Sequence, residues 1–163
     1  MVVTQSSGQK LITDSELNGI IKDNLKGGTG LTKPQFIADM SEIIGQRADS
    51  IRRLINLGRT RNKEDAENTL RGFYGDMNMP GSAEKVKNGV NGSINDEIKW
   101  IADHVSNKVA DYNSTPGVIP IKFDKANAIT DMQQTIGTVV YDSNAKHNPE
   151  LGLGSTGRNL PQF

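Results

Sequence analysis

The chain is poor in the residues on which several common kinds of site depend. It has no cysteine, one tryptophan and two histidines among 163 residues, and aromatic residues make up 5%. Without cysteine there is no disulfide, no thiol nucleophile and no thiolate metal site. The two histidines fit none of the short motifs that bind zinc, so the sequence predicts no metal site and no cofactor.

The chain also lacks an excess of charge and a long apolar run. Its 19 Lys and Arg balance 19 Asp and Glu, so the formal net charge is zero. A neutral chain does not attract nucleic acids or anionic membranes, and we therefore expect no nucleic-acid partner. No stretch approaches the roughly 18 apolar residues that a membrane span needs.

Glycine and asparagine are abundant instead, with 17 glycines and 15 asparagines. We interpret this composition as typical of secreted bacterial effectors, toxins and virulence proteins, and of phage virion or secretion-machine components. The first ten residues carry neither the basic head nor the apolar stretch of a signal peptide. The expectation of a secreted or virion-associated protein therefore depends on composition alone.

Apolar residues recur at helical spacing through most of the chain, which predicts a mainly α-helical fold with a bundle of four to six helices. Thr13 and Glu16 have the spacing of a capping box, and the run 27–30 is predicted to end that first helix. Gly58 is predicted to end the second helix. The remaining helices are predicted over residues 63–76, 82–86, 93–112 and 125–136.

Two short segments have strand patterns. Apolar residues alternate from Val118 to Phe123, and β-branched residues dominate from Thr138 to Tyr141. We predict that these segments form a minor two-stranded β element near residues 118–141, with Pro120 confining the first to an edge.

Composition predicts a simple domain organisation. Residues 1–12 are polar and predicted to be a frayed N-terminus. Residues 13–141 are predicted to form a single mainly helical domain. Residues 142–163 are rich in Gly, Asn and Pro, and are predicted to be a tail or a loop.

The densest set of chemically able groups follows the second predicted strand. His147 is a candidate general acid or base, Asp142 a candidate carboxylate to orient it, and Arg158 a candidate anion holder. These three residues are the candidate catalytic set. The alternative interpretation is a solvated loop.

The segment from Tyr141 to His147 resembles the Tyr-Asp…His-Arg motif of the colicin M-type lipid II hydrolases. The chain has Asn148 where that family has Arg, it has Val139 where the family has Asp, and its spacing is one residue shorter. The resemblance points to a hydrolase, but it covers only seven residues, so no family is assigned from it.

Two further sets are candidates for binding. Trp100 and His104 lie four residues apart on one helix, on the face opposite the apolar stripe of Ile98 and Ile101. An outward Trp suggests a contact surface, although a second layer packing over it is the alternative. Arg52 and Arg53 lie with Arg47 in a basic cluster near the end of the second helix, which could form a local phosphate-binding patch.

Three functions remain open at this point. The first is a non-enzymatic helical interaction or assembly module with a protein partner, either a secreted effector or a virion or secretion-machine component. The second is a small secreted toxin or effector hydrolase using Asp142, His147 and Arg158. The third is a helical domain cut from a larger protein.

Overall fold

A computed structural model describes residues 11–29, 32–76 and 82–147. Within these residues the protein is mainly helical, with five helices and one two-stranded antiparallel sheet. The predicted fold class is therefore confirmed. None of the helices in the described ranges is both long and apolar enough to cross a bilayer.

The first helix, α1, spans Asp14–Asp23 and begins with the predicted capping box. The Thr13 hydroxyl accepts from the Glu16 N–H at 3.0 Å, and the Glu16 carboxylate accepts from the Thr13 N–H at 2.9 Å. The helix ends before the predicted glycine run because Asn24 caps it: the Asn24 side chain donates to the Ile20 carbonyl at 2.9 Å. The chain then enters a strand instead of a turn.

That strand, β1 (Leu25–Gly27), pairs with β2 (Ile121–Phe123), in the register Leu25↔Phe123. The strand predicted from Val118 to Phe123 is thus confirmed over its last three residues only, and its predicted partner is wrong. Residues 138–141 are in no strand, because the Asn91 side chain bonds both backbone groups of Val139. This β-branched segment pairs with a side-chain amide instead of a neighbouring strand.

The second helix, α2 (Thr32–Thr60), buries most of the apolar residues that recur at helical spacing from Phe36 to Ile55. Ile37 is half-buried, and Ile43 is 39% exposed. The prediction that Gly58 ends this helix is wrong. Gly58 is buried inside the helix, and a Cβ atom there would lie 2.5 Å from Val139 Cγ1. The glycine thus allows a neighbouring segment to approach the helix closely.

The remaining helices are α3 (Lys63–Asp76), α4 (Ser82–Asn113) and α5 (Lys125–Ile136), and the predicted bounds of α3 and α5 are confirmed. A break between the helices predicted over 82–86 and 93–112 is also present, because Gly89 has φ 74° and ψ −170° within α4. Ser93, where the second of these helices is predicted to begin, instead lies buried inside α4. Helical backbone resumes directly after Gly89.

The chain divides into two compact units. Among the described residues, the first unit contains residues 11, 50–76, 82–96 and 137–147, and the second contains residues 12–29, 32–49 and 97–136. The single domain predicted over residues 13–141 stays a prediction. Residues 1–10 of the predicted N-terminal segment and residues 148–163 of the predicted tail lie outside the described residues.

Candidate functional site

In the first unit, Asn62 organises the junction between α2 and α3. Its Oδ1 accepts from the Asp65 N–H at 2.9 Å and so caps the first turn of α3. Its Nδ2 donates to the Ala145 carbonyl at 3.1 Å. A further backbone bond joins the Asp142 N–H to the Arg61 carbonyl at 3.0 Å. These bonds fix the segment 142–147 against the start of α3.

As a result, His147 lies against two carboxylates from the first turn of α3. Its Nδ1 is 2.6 Å from Asp65 Oδ1 and 3.4 Å from Glu64 Oε1. The Asp65 side chain is only 2% exposed, whereas those of His147 and Glu64 are 50% and 71% exposed. A buried carboxylate thus orients a half-exposed imidazole, and the contact through Nδ1 directs the other ring nitrogen, Nε2, away from Asp65.

The Asp65 carboxylate is itself oriented. Asn62 Nδ2 lies 3.4 Å from Asp65 Oδ2, which leaves Oδ1 facing His147. Asp65 also interacts with the neighbouring guanidinium of Arg61. Partial burial lowers the pKa of Arg61 from its ordinary value, and the charge of Asp65 opposes that change.

Within the described residues, the predicted pair of Asp142 and His147 is not brought together. His147 faces Asp65, while the carboxylate of Asp142 accepts from the Asn144 N–H at 3.0 Å in a local turn. Arg158 lies outside the described residues. Sequence reasoning missed Glu64 and Asp65 because the spacing of Asn62 and Asp65 indicates only a helix start. Nothing in the sequence connects these residues to a histidine so far along the chain.

In the second unit, Trp100 is half-buried on the face of α4 that lies opposite the buried Ile98 and Ile101. The Arg47 guanidinium of α2 lies 4.0 Å from the centre of its ring. The His104 imidazole stacks on the same ring, with centroids 4.9 Å apart and planes 10° apart. We call Arg47, Trp100 and His104 the Trp100 surface.

Electrostatic contacts hold the Trp100 surface in place. Arg47 Nη1 donates to both carboxylate oxygens of Glu97, at 3.1 and 3.3 Å, and the Glu97 side chain is only 15% exposed. The pKa of His104 is lowered, first by partial burial and then by the positive charges of Lys108 and Arg47. Near neutral pH His104 is therefore an uncharged ring against the indole.

Arg52 and Arg53, the other predicted binding residues, lie on α2 within the first unit and so do not belong to the Trp100 surface. Arg52 is half-buried and Arg53 is exposed. Arg47, from the same basic cluster of the sequence, is paired with Glu97. At least one arginine of the predicted phosphate-binding patch is therefore paired with a carboxylate of the protein itself.

Comparisons with models of protein families, with curated proteins and with solved structures found no match for this chain.

Proposed function

We propose that the chain is a non-enzymatic protein-interaction or assembly module that binds a protein partner through the Trp100 surface. One observation carries the proposal: a half-buried Trp on the outward face of α4 is held in place by an Arg–Glu pair. Trp and Arg are the residue types most enriched among the side chains that dominate binding energy at protein interfaces.

The side chains of the Trp100 surface are already fixed in place, and this favours binding. Fixing a flexible side chain on association costs about 0.5–1.5 kcal/mol. Arg47 is already fixed by Glu97, and the Trp100 ring is already held by Arg47 and His104. Covering the exposed part of this indole therefore costs less conformational entropy than covering the indole of a mobile Trp would.

We assign the module to a secreted bacterial effector or to a component of a virion or secretion machine. What supports this is the composition: no cysteine, 5% aromatic residues and 17 glycines. Arg52 and Arg53, in the first unit, remain a proposed local phosphate-binding patch. The proposal includes no nucleic acid, because the net charge is zero.

Site-specific photo-crosslinking tests this proposal. Asn107 is exposed two helical turns from Trp100 on the same face of α4, so a photo-reactive amino acid there samples whatever covers the indole. In extracts of the organism that encodes the chain, we expect a crosslinked protein that disappears when Trp100→Ala is added. A probe at Ala126, exposed on α5, serves as the control.

The stability of Trp100→Ala must be measured in the same experiment. We expect a loss below the roughly 3–5 kcal/mol that follows truncation of a core Trp, because part of the Trp100 side chain stays exposed. Persistence of the same crosslinked protein in Trp100→Ala would refute the contact surface. If Trp100→Ala instead lost about 3–5 kcal/mol of unfolding free energy, Trp100 would belong to the core.

The contact between His147 and Asp65 favours a second candidate, a small secreted hydrolase. A carboxylate on Nδ1 holds an imidazole in the tautomer whose Nε2 accepts a proton, which is the arrangement that a general base needs. In this alternative Asp65 orients His147, while Asp142 and Arg158 remain proposed members of the site.

Bacterial growth tests the hydrolase candidate. The chain is expressed in the cytoplasm or, with a signal peptide, in the periplasm, alongside His147→Ala and Asp65→Asn. If the chain is a hydrolase, we expect it to kill the cells in one of the two compartments. Either substitution should remove this killing, whereas the control variant His104→Ala should still kill. If the unsubstituted chain is harmless in both compartments, this alternative is refuted.

A further inference from the structure

The contact between α3 and the segment 142–147 brings together three side chains that are good metal ligands. The imidazole of His147 and the carboxylates of Glu64 and Asp65 each offer one ligand atom, and these atoms all lie within 4.8 Å of one another. The carboxylates come from one helix turn, and the imidazole comes from a distant part of the sequence. We propose that these three residues form a binding site for a divalent transition-metal cation, with Zn²⁺ as the best fit.

One of the three spacings between ligand atoms already suits a tetrahedral ion, and the 4.8 Å limit on all three leaves a small adjustment for the others. At metal–ligand distances of about 2.0–2.2 Å, neighbouring tetrahedral ligands lie about 3.3–3.5 Å apart. Nδ1 of His147 is already 3.4 Å from Glu64 Oε1. Its 2.6 Å contact with Asp65 Oδ1 is a hydrogen-bond distance and must open by about 0.7–0.9 Å to reach that spacing. Binding through Nδ1 requires that this nitrogen be unprotonated, so the ion takes the place of any proton there.

Asp65 is oriented by a neighbouring hydrogen-bonding side chain, as the ligands of metal sites usually are. Asn62 contacts Asp65 Oδ2 and also bonds the Ala145 carbonyl, so one side chain orients both halves of the site. Partners of this kind fix ligand geometry and raise metal affinity. Only the Asp65 carboxylate is buried; exposure of the other two side chains gives the ion an entry path and leaves its fourth position to water.

The ligand set determines the class of cation. One imidazole nitrogen with two carboxylate oxygens suits Zn²⁺ and its neighbours among the late transition metals, whereas Mg²⁺ and Ca²⁺ prefer oxygen ligands alone. Two carboxylates balance the charge of the ion. The Arg61 guanidinium, which interacts with Asp65, reduces the local attraction for a cation.

A bound ion would connect α3 to the segment 142–147 within the first unit, in addition to the hydrogen bonds from Asn62 and Arg61. Binding to the folded state alone stabilises it by mass action. At an ion concentration of about 100 times Kd, and for a chain of this size, we expect Tm to rise by about 5–10 °C.

Calorimetric titration of the metal-free, tag-free chain with Zn²⁺ tests the proposal, with the visible spectrum of bound Co²⁺ as a second readout. We expect one ion per chain and an affinity that falls at least about 10-fold in His147→Ala. The chain has only two histidines, so His104→Ala is a matched control that should bind as the unsubstituted chain does. Glu64→Gln should also weaken binding; because Glu64 is 71% exposed, this variant tests the site without threatening the fold.

The proposal is overturned if the unsubstituted chain binds no Zn²⁺, or if both His147→Ala and Glu64→Gln bind it unchanged. The inference is independent of the proposed interaction function, which concerns the second unit. It is also separable from the hydrolase candidate, because the titration measures binding and not turnover.

Discussion

Replacing Gly58 with alanine tests how the segment after α5 packs on α2. An added Cβ atom would lie 2.5 Å from Val139 Cγ1 and 3.1 Å from Val90 Cγ1. Neither valine has a flexible chain to move aside, because β-branched side chains are stiff at χ1. Val139 is also held at both backbone groups by the Asn91 amide, at 2.9 Å each.

The magnitude follows from two opposing effects. Alanine gains about 0.5–1 kcal/mol over glycine in a helix interior. Forcing a methyl group into a packed core costs about 1–3 kcal/mol. Gly19 in α1 is the matched control, since a Cβ there meets nothing within 4 Å. Gly19→Ala should therefore stabilise the protein, and Gly58→Ala should be about 1–3 kcal/mol less stable than Gly19→Ala.

Urea denaturation followed by circular dichroism measures both free energies of unfolding. The double variant Gly58→Ala with Val139→Ala isolates the contact, because removing Cγ1 makes room for the new methyl. We expect it to be more stable than the sum of the single changes predicts, by about 1 kcal/mol. If Gly58→Ala stabilised as much as Gly19→Ala did, the close packing of Val139 on α2 would be refuted.

Two further predictions concern single side chains. Asn91→Ala should cost about 1–3 kcal/mol and speed hydrogen exchange at the Val139 N–H, because both backbone groups of Val139 lose their partner; unchanged exchange would contradict this. His104 has a lowered pKa, so the stability it contributes is present above its ordinary value of 6.5 and is lost as the pH falls through the folded-state pKa. His104→Gln should therefore flatten the pH dependence of the urea midpoint below about pH 6.5, and an unchanged slope would refute the effect.

Local signals in the sequence predicted most of the helices. The capping box at Thr13, the bounds of α3 and α5, and the break at Gly89 depend on residues a few positions apart, where backbone chemistry decides the structure. The errors concern partners that are distant in the sequence. Gly58 has the residue type of a helix end, but its role is to admit Val139, which no local pattern indicates.

The pairing of the strands was likewise not predictable from local sequence patterns. Three residues pair on each side, from β1 to β2, and so short a segment carries little hydrophobic pattern. Asparagine side chains make strand pairing harder to predict, because they can bond backbone groups in place of a neighbouring strand. Asn113 is the last residue of α4, and its side chain exchanges two hydrogen bonds with the backbone of Ile121, at 2.8 and 2.9 Å. Asn91 does the same for Val139.

The candidate sites were predictable to different degrees. Helical spacing alone placed Trp100 and His104 on one face, and the two rings do stack. His147 was recognised by its chemistry, but the carboxylate against it is that of Asp65, not of Asp142. That pairing depends on the bonds from Asn62 and Arg61 to the segment 142–147, which only the folded chain reveals.

The most direct test of the proposed interaction function uses the single tryptophan of the chain. Incorporating a fluorinated tryptophan gives one fluorine NMR resonance, which reports on Trp100 even in the presence of a partner. On titration with the protein captured at Asn107, we expect this resonance to shift and to lose its sensitivity to a paramagnetic reagent in the solvent. If the resonance and its accessibility were unchanged at saturating partner, the Trp100 surface would not be the contact surface.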